Sequence, residues 1–124
     1  MTLVFLHNDF KVYWRGRLYF LRKFFKERNI NIHVIEIFGN ESAYSFDESR
    51  NQEEWWDCLF ETQKFSELST KEVSYKIMSR LDSLNPDFLV CGPIAFTSGA
   101  IGMRWAYKRK KKVILFDDSK HSHY

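Results

Sequence analysis

Residues Asp87 to Ser119 read DFLVCGPIAFTSGAIGMRWAYKRKKKVILFDDS, and this stretch decides the fold. An apolar run, Phe88 to Cys91, breaks at Gly92-Pro93. A helix-compatible segment rich in small residues follows, then the basic cluster Lys108 to Lys112, a second apolar run from Val113 to Phe116, and the polar stop Asp117-Asp118-Ser119. Short apolar runs bounded by turn residues, with a helical segment between them, read as strand, crossover helix and parallel strand. In open sheets of this kind ligands bind where strands end and helices begin, which directs attention to Gly92-Pro93 and to Asp117-Asp118-Ser119.

Working outward, the residues before this stretch repeat the alternation. Thr2 to His7 is an apolar run with the composition of a buried parallel strand, and it ends in the turn-forming residues His7-Asn8-Asp9. From Tyr13 to Arg28, Trp14, Leu18, Leu21 and Phe25 recur at helical spacing. Gly16 costs about 1 kcal/mol against Ala inside a helix, so it marks either a close backbone approach or simple packing. Ile32 to Phe38 is a second strand, interrupted by His33 and Glu36, which suits a position nearer the sheet edge than the first strand. Asn40 to Glu54 is polar and aperiodic and reads as a long loop. Trp55 to Phe60 reads as an edge strand, with a short helix as the alternative. Ser69 and Glu72 form a capping-box pattern ahead of an apolar face made by Val73, Ile77, Leu81 and Leu84, and Asn85-Pro86 ends that helix. Gly99, Ala100, Gly102 and Ala106 give the last helix a small-residue face that packs close to a sheet. The expectation is one Rossmann-like domain over residues 1–124, a three-layer α/β/α sandwich whose mostly parallel sheet has about five strands.

Composition narrows the partners. The 124 residues carry 19 Lys and Arg against 16 Asp and Glu, a net charge of +3 that does not point to nucleic acid. Twelve Phe and four Trp exceed what a small core absorbs easily, so some aromatic surface is expected to face a partner or a membrane. Cys58 and Cys91 have no zinc-site spacing and are expected as reduced, buried thiols. The apolar N-terminus is too short for a signal peptide, and no run reaches the ~20 residues of a membrane span. The expected location is cytoplasmic.

The strand ends should bring His7-Asn8-Asp9, Gly92-Pro93 and Asp117-Asp118-Ser119 to one rim offering donors, acceptors and carboxylates to a polyhydroxylated ligand. Asp117 and Asp118 are adjacent on a strand end and point in opposite directions, so one of them faces the cleft, as ligand contact, cap or base. His121 and His123 have the acid–base range for catalysis but sit in a terminal segment. Neither G-x-G-x-x-G nor a P-loop pattern occurs, and no Ser-His-Asp or Cys-His set can be assigned. Asp117, Asp118, His121 and His123 make a weak metal set, and no metal is expected.

PDFLVCGPIAFTSGAIGMRWAYKRKKKVILFDDSKH and VYWRGRLYFLRKFFKERNINIHVIEIFG resemble the corresponding segments of retaining GT-B glycosyltransferases of the family 4 type, over most of the chain except roughly residues 40–65. The resemblance implies the acceptor-binding, N-terminal half of a two-domain enzyme. The nucleotide-sugar donor is then held by a C-terminal domain or subunit, with no cofactor in this chain and with no activity expected for it alone. By position, Asn8 to Gly16 corresponds to the first acceptor-side loop, Gly92-Pro93 to the turn after the fourth strand, and Asp117 to His121 to a loop with a polar or histidine contact. The chain departs from the family in lacking the Gly-rich form of the first loop and in ending the last strand on Asp117-Asp118. Many members act at membranes on lipid-linked or envelope glycans. Arg15, Arg17, Arg22, Lys23, Lys26 and Arg28, interleaved with Trp14, Tyr19, Phe20 and Phe24, fit a surface resting on the inner face of a membrane, or else an exposed helix with snorkelling bases. The alternative is a non-catalytic flavodoxin-like binding or protein-interaction module. A phospho-receiver needs an acidic pair after the first strand, where this chain has only Asp9.

Overall fold

A computed structural model describes residues 1–8, 10, 12–38, 54–60, 68–92 and 97–115, with the side chains of residues 12–15 and 38 outside that description. The elements run β1 (Thr2–His7), α1 (Val12–Lys26), β2 (Asn31–Phe38), β3 (Trp56–Phe60), α2 (Thr70–Leu84), β4 (Phe88–Cys91), α3 (Thr97–Arg109) and β5 (Lys112–Leu115). All five strands are parallel, in the order β3-β2-β1-β4-β5. The register sets Leu6 of β1 between Ile35 of β2 and Cys91 of β4. β2 lies one strand nearer the edge than β1, as its polar interruptions imply, and Trp56–Phe60 is the edge strand rather than a helix.

The period of two sorts the strand side chains onto two faces. Val4, Leu6, Ile35, Ile37, Leu89 and Cys91 pack against Val73, Ile77 and Leu81 of α2 and Ile101, Trp105 and Ala106 of α3. Phe5, Ile32, Val34 and Val90 turn the other way and pack with Leu18 of α1 and with Phe10, Trp55 and Trp56. The chain is therefore an α/β/α arrangement with α1 on one face and α2 and α3 on the other.

Helix ends follow local chemistry. Ser69 Oγ accepts from the Glu72 N–H at 3.1 Å and Glu72 accepts from the Ser69 N–H at 3.5 Å, completing the capping box. α2 stops on Asn85 in the left-handed region (φ 44°), whose N–H donates to the Leu81 carbonyl. Asn29 (φ 61°) and Lys110 (φ 56°) end α1 and α3 in the same way. The small-residue face of α3 is packing. A Cβ at Gly102 would lie 3.0 Å from Leu6 Cδ2 and 3.2 Å from Leu89 Cδ2. Asp82 of α2 fastens α3 by accepting from Trp105 Nε1 at 2.9 Å and from Arg109 Nε at 2.9 Å.

Gly16 is exposed, and among the described residues a Cβ there would meet nothing within 4 Å, so no close approach of the described backbone requires glycine. Cys58 and Cys91 are free thiols, and burial pushes Cys91 up to about 11. Among the described residues no helix is long and apolar enough to cross a membrane. The long polar loop expected over residues 40–54 lies almost wholly outside the described residues.

Candidate functional site

The strand order reverses direction at β1. β2 and β3 lie on one side of it, and β4 and β5 on the other. The connection out of β1 goes to α1 on one face of the sheet, while the connection out of β4 goes to α3 on the opposite face. Open α/β sheets hold ligands at such a switch point, here the rim at the carboxyl ends of β1 and β4.

Three residues expected at that rim meet in it. His7 ends β1, and its ring lies against Gly92, which directly follows β4. A Cβ on residue 92 would fall 2.8 Å from His7 Nδ1 and 3.0 Å from Cε1. Glycine is needed here by contact, not by backbone conformation. The same ring meets Phe10 edge-on, with centroids 5.4 Å apart at 71°. Asn8 ties three elements together. It follows β1 directly, its carbonyl accepts from the Ile37 N–H of β2 at 3.1 Å, and its side-chain Oδ1 accepts from the Ser98 N–H of α3 at 3.2 Å. Helix N-termini carry about half a unit of positive charge, so an amide oxygen there is a matched neutral acceptor.

The support beneath the rim comes from residues that the sequence pattern did not single out as functional. Glu36, fully buried, accepts from the Phe10 N–H at 2.6 Å through Oε2 and from Trp56 Nε1 at 3.4 Å through Oε1, which holds the segment after β1 in place. Ser98 is also fully buried, and its Oγ has no hydrogen-bond partner among the described residues. One signal was available for Glu36: a lone acid in an otherwise apolar strand, three positions from His33 and hence on the opposite face.

His33 belongs to a different cluster. Its Nε2 lies 2.7 Å from Asp57 Oδ2, which also accepts from Arg80 Nε at 2.5 Å. Burial pushes the Asp57 carboxyl up, but the hydrogen bonds and charges of His33 and Arg80 outweigh it and hold the group below its ordinary value of 3.8.

Of the other expected contacts, Asp9, Pro93, Asp117, Asp118, Ser119 and His121 lie outside the described residues. Gly16 is one turn into α1, on a shallow groove with Arg17, Phe20 and Leu21, and is not among the residues that meet at the rim. Of the basic set, the Arg15 side chain lies outside the description, while Arg17, Lys23 and Lys26 are exposed. Arg22 is half-buried over the Trp55 ring, 4.8 Å from its centroid. Among the described residues no group of three or more His, Cys, Asp or Glu side chains is placed to hold a metal ion. The rim therefore offers an imidazole, an amide and a helix N-terminus, a set suited to hydrogen-bonding a polar ligand.

No protein-family model matches the chain, and no curated protein matches it in sequence. Among solved structures it is similar to a crystal structure of UDP-N-acetylglucosamine 2-epimerase, with a TM-score of 0.59 at 14% identity, over 99% of this chain and 35% of that one. The chain thus spans about a third of that structure's length. At this identity the likeness is one of fold: the chain has a GT-B-like, Rossmann-type α/β fold.

Proposed function

We propose that this chain is the acceptor-side lobe of a GT-B glycosyltransferase, one Rossmann-like domain forming an incomplete N-terminal half. In this reading the rim at β1 and β4 holds a glycan or lipid-linked sugar, and the nucleotide-sugar donor sits on a second domain or subunit. The observation that carries the reading is the convergence of His7, Asn8, Gly92 and the start of α3 at the point where the strand order reverses. Sugar hydroxyls both donate and accept, which matches an amide and an imidazole better than it matches a set of like charges. Asp117, Asp118, Ser119 and His121 complete the acceptor loop in this reading, and no residue is assigned to bond making.

The similarity to a nucleotide-sugar epimerase favours a second reading, in which the ligand of this lobe is the nucleotide sugar itself. Saturation-transfer NMR on the 124-residue chain separates the two, using neutral oligosaccharides on one side and UDP-N-acetylglucosamine on the other. The acceptor reading expects transfer to the oligosaccharides that is lost in Asn8→Ala and no turnover of the nucleotide sugar. Saturable binding of the nucleotide sugar alone would favour the second reading. Turnover of it by the isolated chain would sink the missing-domain argument.

The acceptor reading includes a membrane face. On the outer side of α1, Phe20 is 66% exposed and Phe24 39% exposed, and the two rings stack at 6.2 Å. Arg17 and Lys23 line shallow grooves with these rings and Arg28 lies over Phe24, with Glu27 the one acidic side chain between residues 16 and 28. Aromatic rings within a basic field fit the interface of an anionic bilayer, which would place the protein peripherally on the inner membrane face where lipid-linked acceptors are.

A further inference from the structure

A cavity of about 320 Å³ opens at the amino ends of the strands, at the other end of the sheet from the rim, with Arg22, Lys26, Asn31, His33, Glu54 and Trp55 in its wall. That volume lies at the small end of the ~300–1,000 Å³ typical of small-molecule sites.

Arg22 and Lys26 stand one turn apart on α1, where like charges repel. Neither takes part in an ion pair among the described residues, and the same holds for Glu54. The ordinary role for bases in the last turn of a helix is to face its free carbonyls, but that role is filled here. The Lys23 carbonyl accepts from the Glu27 N–H, the Phe24 carbonyl from Arg28 Nη1, the Phe25 carbonyl from the Arg28 and Ile30 N–H groups, and the Lys26 carbonyl from the Asn29 N–H. The negative end of α1 is thus closed without Arg22 or Lys26. Arg22 is further held in place over Trp55. Two cations on one wall, with a carboxylate on another, match a ligand carrying an anion of about two charges and a hydroxyl donor beside it.

We propose that this cavity binds the phosphate monoester of a hydroxylated compound, with Arg22 and Lys26 on the phosphate and Glu54 on a neighbouring hydroxyl. The phosphate has two chemical sources, a free sugar- or polyol-phosphate and a lipid head group ending in a phosphate monoester. The site is separate from the rim and does not depend on the acceptor reading.

The test is calorimetric titration of the full chain with glycerol 3-phosphate, inorganic phosphate and glycerol at constant ionic strength. It is accompanied by sedimentation with phosphatidylcholine vesicles containing phosphatidic acid or, at equal charge, phosphatidylserine. A free-phosphate site gives saturable binding of glycerol 3-phosphate, weaker binding of inorganic phosphate and none of glycerol. A lipid site gives capture by phosphatidic acid in preference to phosphatidylserine. In either case Arg22→Gln and Lys26→Gln each weaken binding by about tenfold, the loss expected for one charge-assisted contact. Glu54→Gln weakens glycerol 3-phosphate but not inorganic phosphate. Lys26 is exposed and unpaired, so Lys26→Gln keeps the fold, and an unchanged thermal melt verifies this. Failure of both phosphate sources to bind overturns the proposal. So do equal capture by the two anionic lipids without binding of free phosphate, and binding that survives both substitutions.

Discussion

The side chain of Asn8, one residue past β1, accepts a hydrogen bond from the Ser98 N–H of α3 at 3.2 Å, across 90 residues of sequence. Strand order produces this relationship. β4 lies beside β1, so the helix leaving β4 begins next to the turn leaving β1. The bond does for α3 what an N-cap residue does locally. Asn8→Ala should therefore destabilise the protein by about 0.5–2 kcal/mol, the range for losing a cap. Asn8→Asp should retain or raise stability, because a carboxylate near a helix N-terminus gains about 0.3–1 kcal/mol. Urea denaturation of the three proteins checks this, and an Asn8→Asp protein as weak as Asn8→Ala would show that the contact is not a cap.

Gly92 and His7 form the tightest contact at the rim. A methyl group at position 92 must displace the His7 ring, since 2.8 Å is below any normal Cβ contact, and the ring has Phe10 at its edge. Gly92→Ala should cost about 1–3 kcal/mol as an overpacking substitution. His7→Ala removes the obstacle, so the double variant should be less destabilised than the sum of the two singles. A double-mutant cycle from thermal melts measures that coupling, and additivity within about 0.5 kcal/mol would place the ring elsewhere.

The elements with local signals were legible and the long-range ones were not. The Ser69–Glu72 capping box and the Val73, Ile77, Leu81 stripe fixed α2, because cap and periodicity are both encoded within a few residues. The apolar runs of β1 and β4 reported strands buried on both faces, and the sequence placed their exits at one rim. Asn8 read as a turn residue, yet the sequence could not say that it caps α3, because that depends on β4 lying next to β1. Glu36 looked like a polar interruption because nothing near it in sequence shows that it takes the Phe10 N–H. Gly16 left close approach and packing both open, because glycine in a helix reports permission for close approach, not its occurrence.

Asp57 should make stability sensitive to acid. Burial raises its pKa, and the contacts with His33 and Arg80 lower it by more, so its folded value lies below the unfolded value of about 3.9. A carboxylate shifted this way contributes stability that is fully present above the unfolded pKa and is lost as pH falls through the folded one. Asp57→Asn should be less stable than wild type by about 1.5–3 kcal/mol at pH 7, the scale of a hydrogen bond to a charged group. Below about pH 4 the gap should close as the wild-type carboxylate takes up its proton. Denaturant midpoints from pH 7 to pH 3 measure it, and a gap that stays constant would mean that Asp57 does not titrate with a lowered value.

The outer face of α1 separates two accounts of the same residues. If Phe20 and Phe24 are surface aromatics with bases merely snorkelling beside them, replacing both by Ser leaves vesicle binding as it was. If the face enters an anionic interface, each ring gains up to about 1.5–3 kcal/mol on burial, so Phe20→Ser with Phe24→Ser should weaken binding to phosphatidylserine vesicles at least tenfold. The basic field predicts a second dependence. Charges interacting across water are screened over about 10 Å at 0.1 M salt, so raising sodium chloride should weaken binding of wild type and double variant alike. Loss of the salt dependence together with the aromatic one would mean that the substitutions disturbed the helix. Loss of the aromatic term alone, with the salt response and the thermal melt unchanged, would locate the contribution in the two rings, and Arg28, stacked 3.7 Å over Phe24, would then lose its platform without losing its charge.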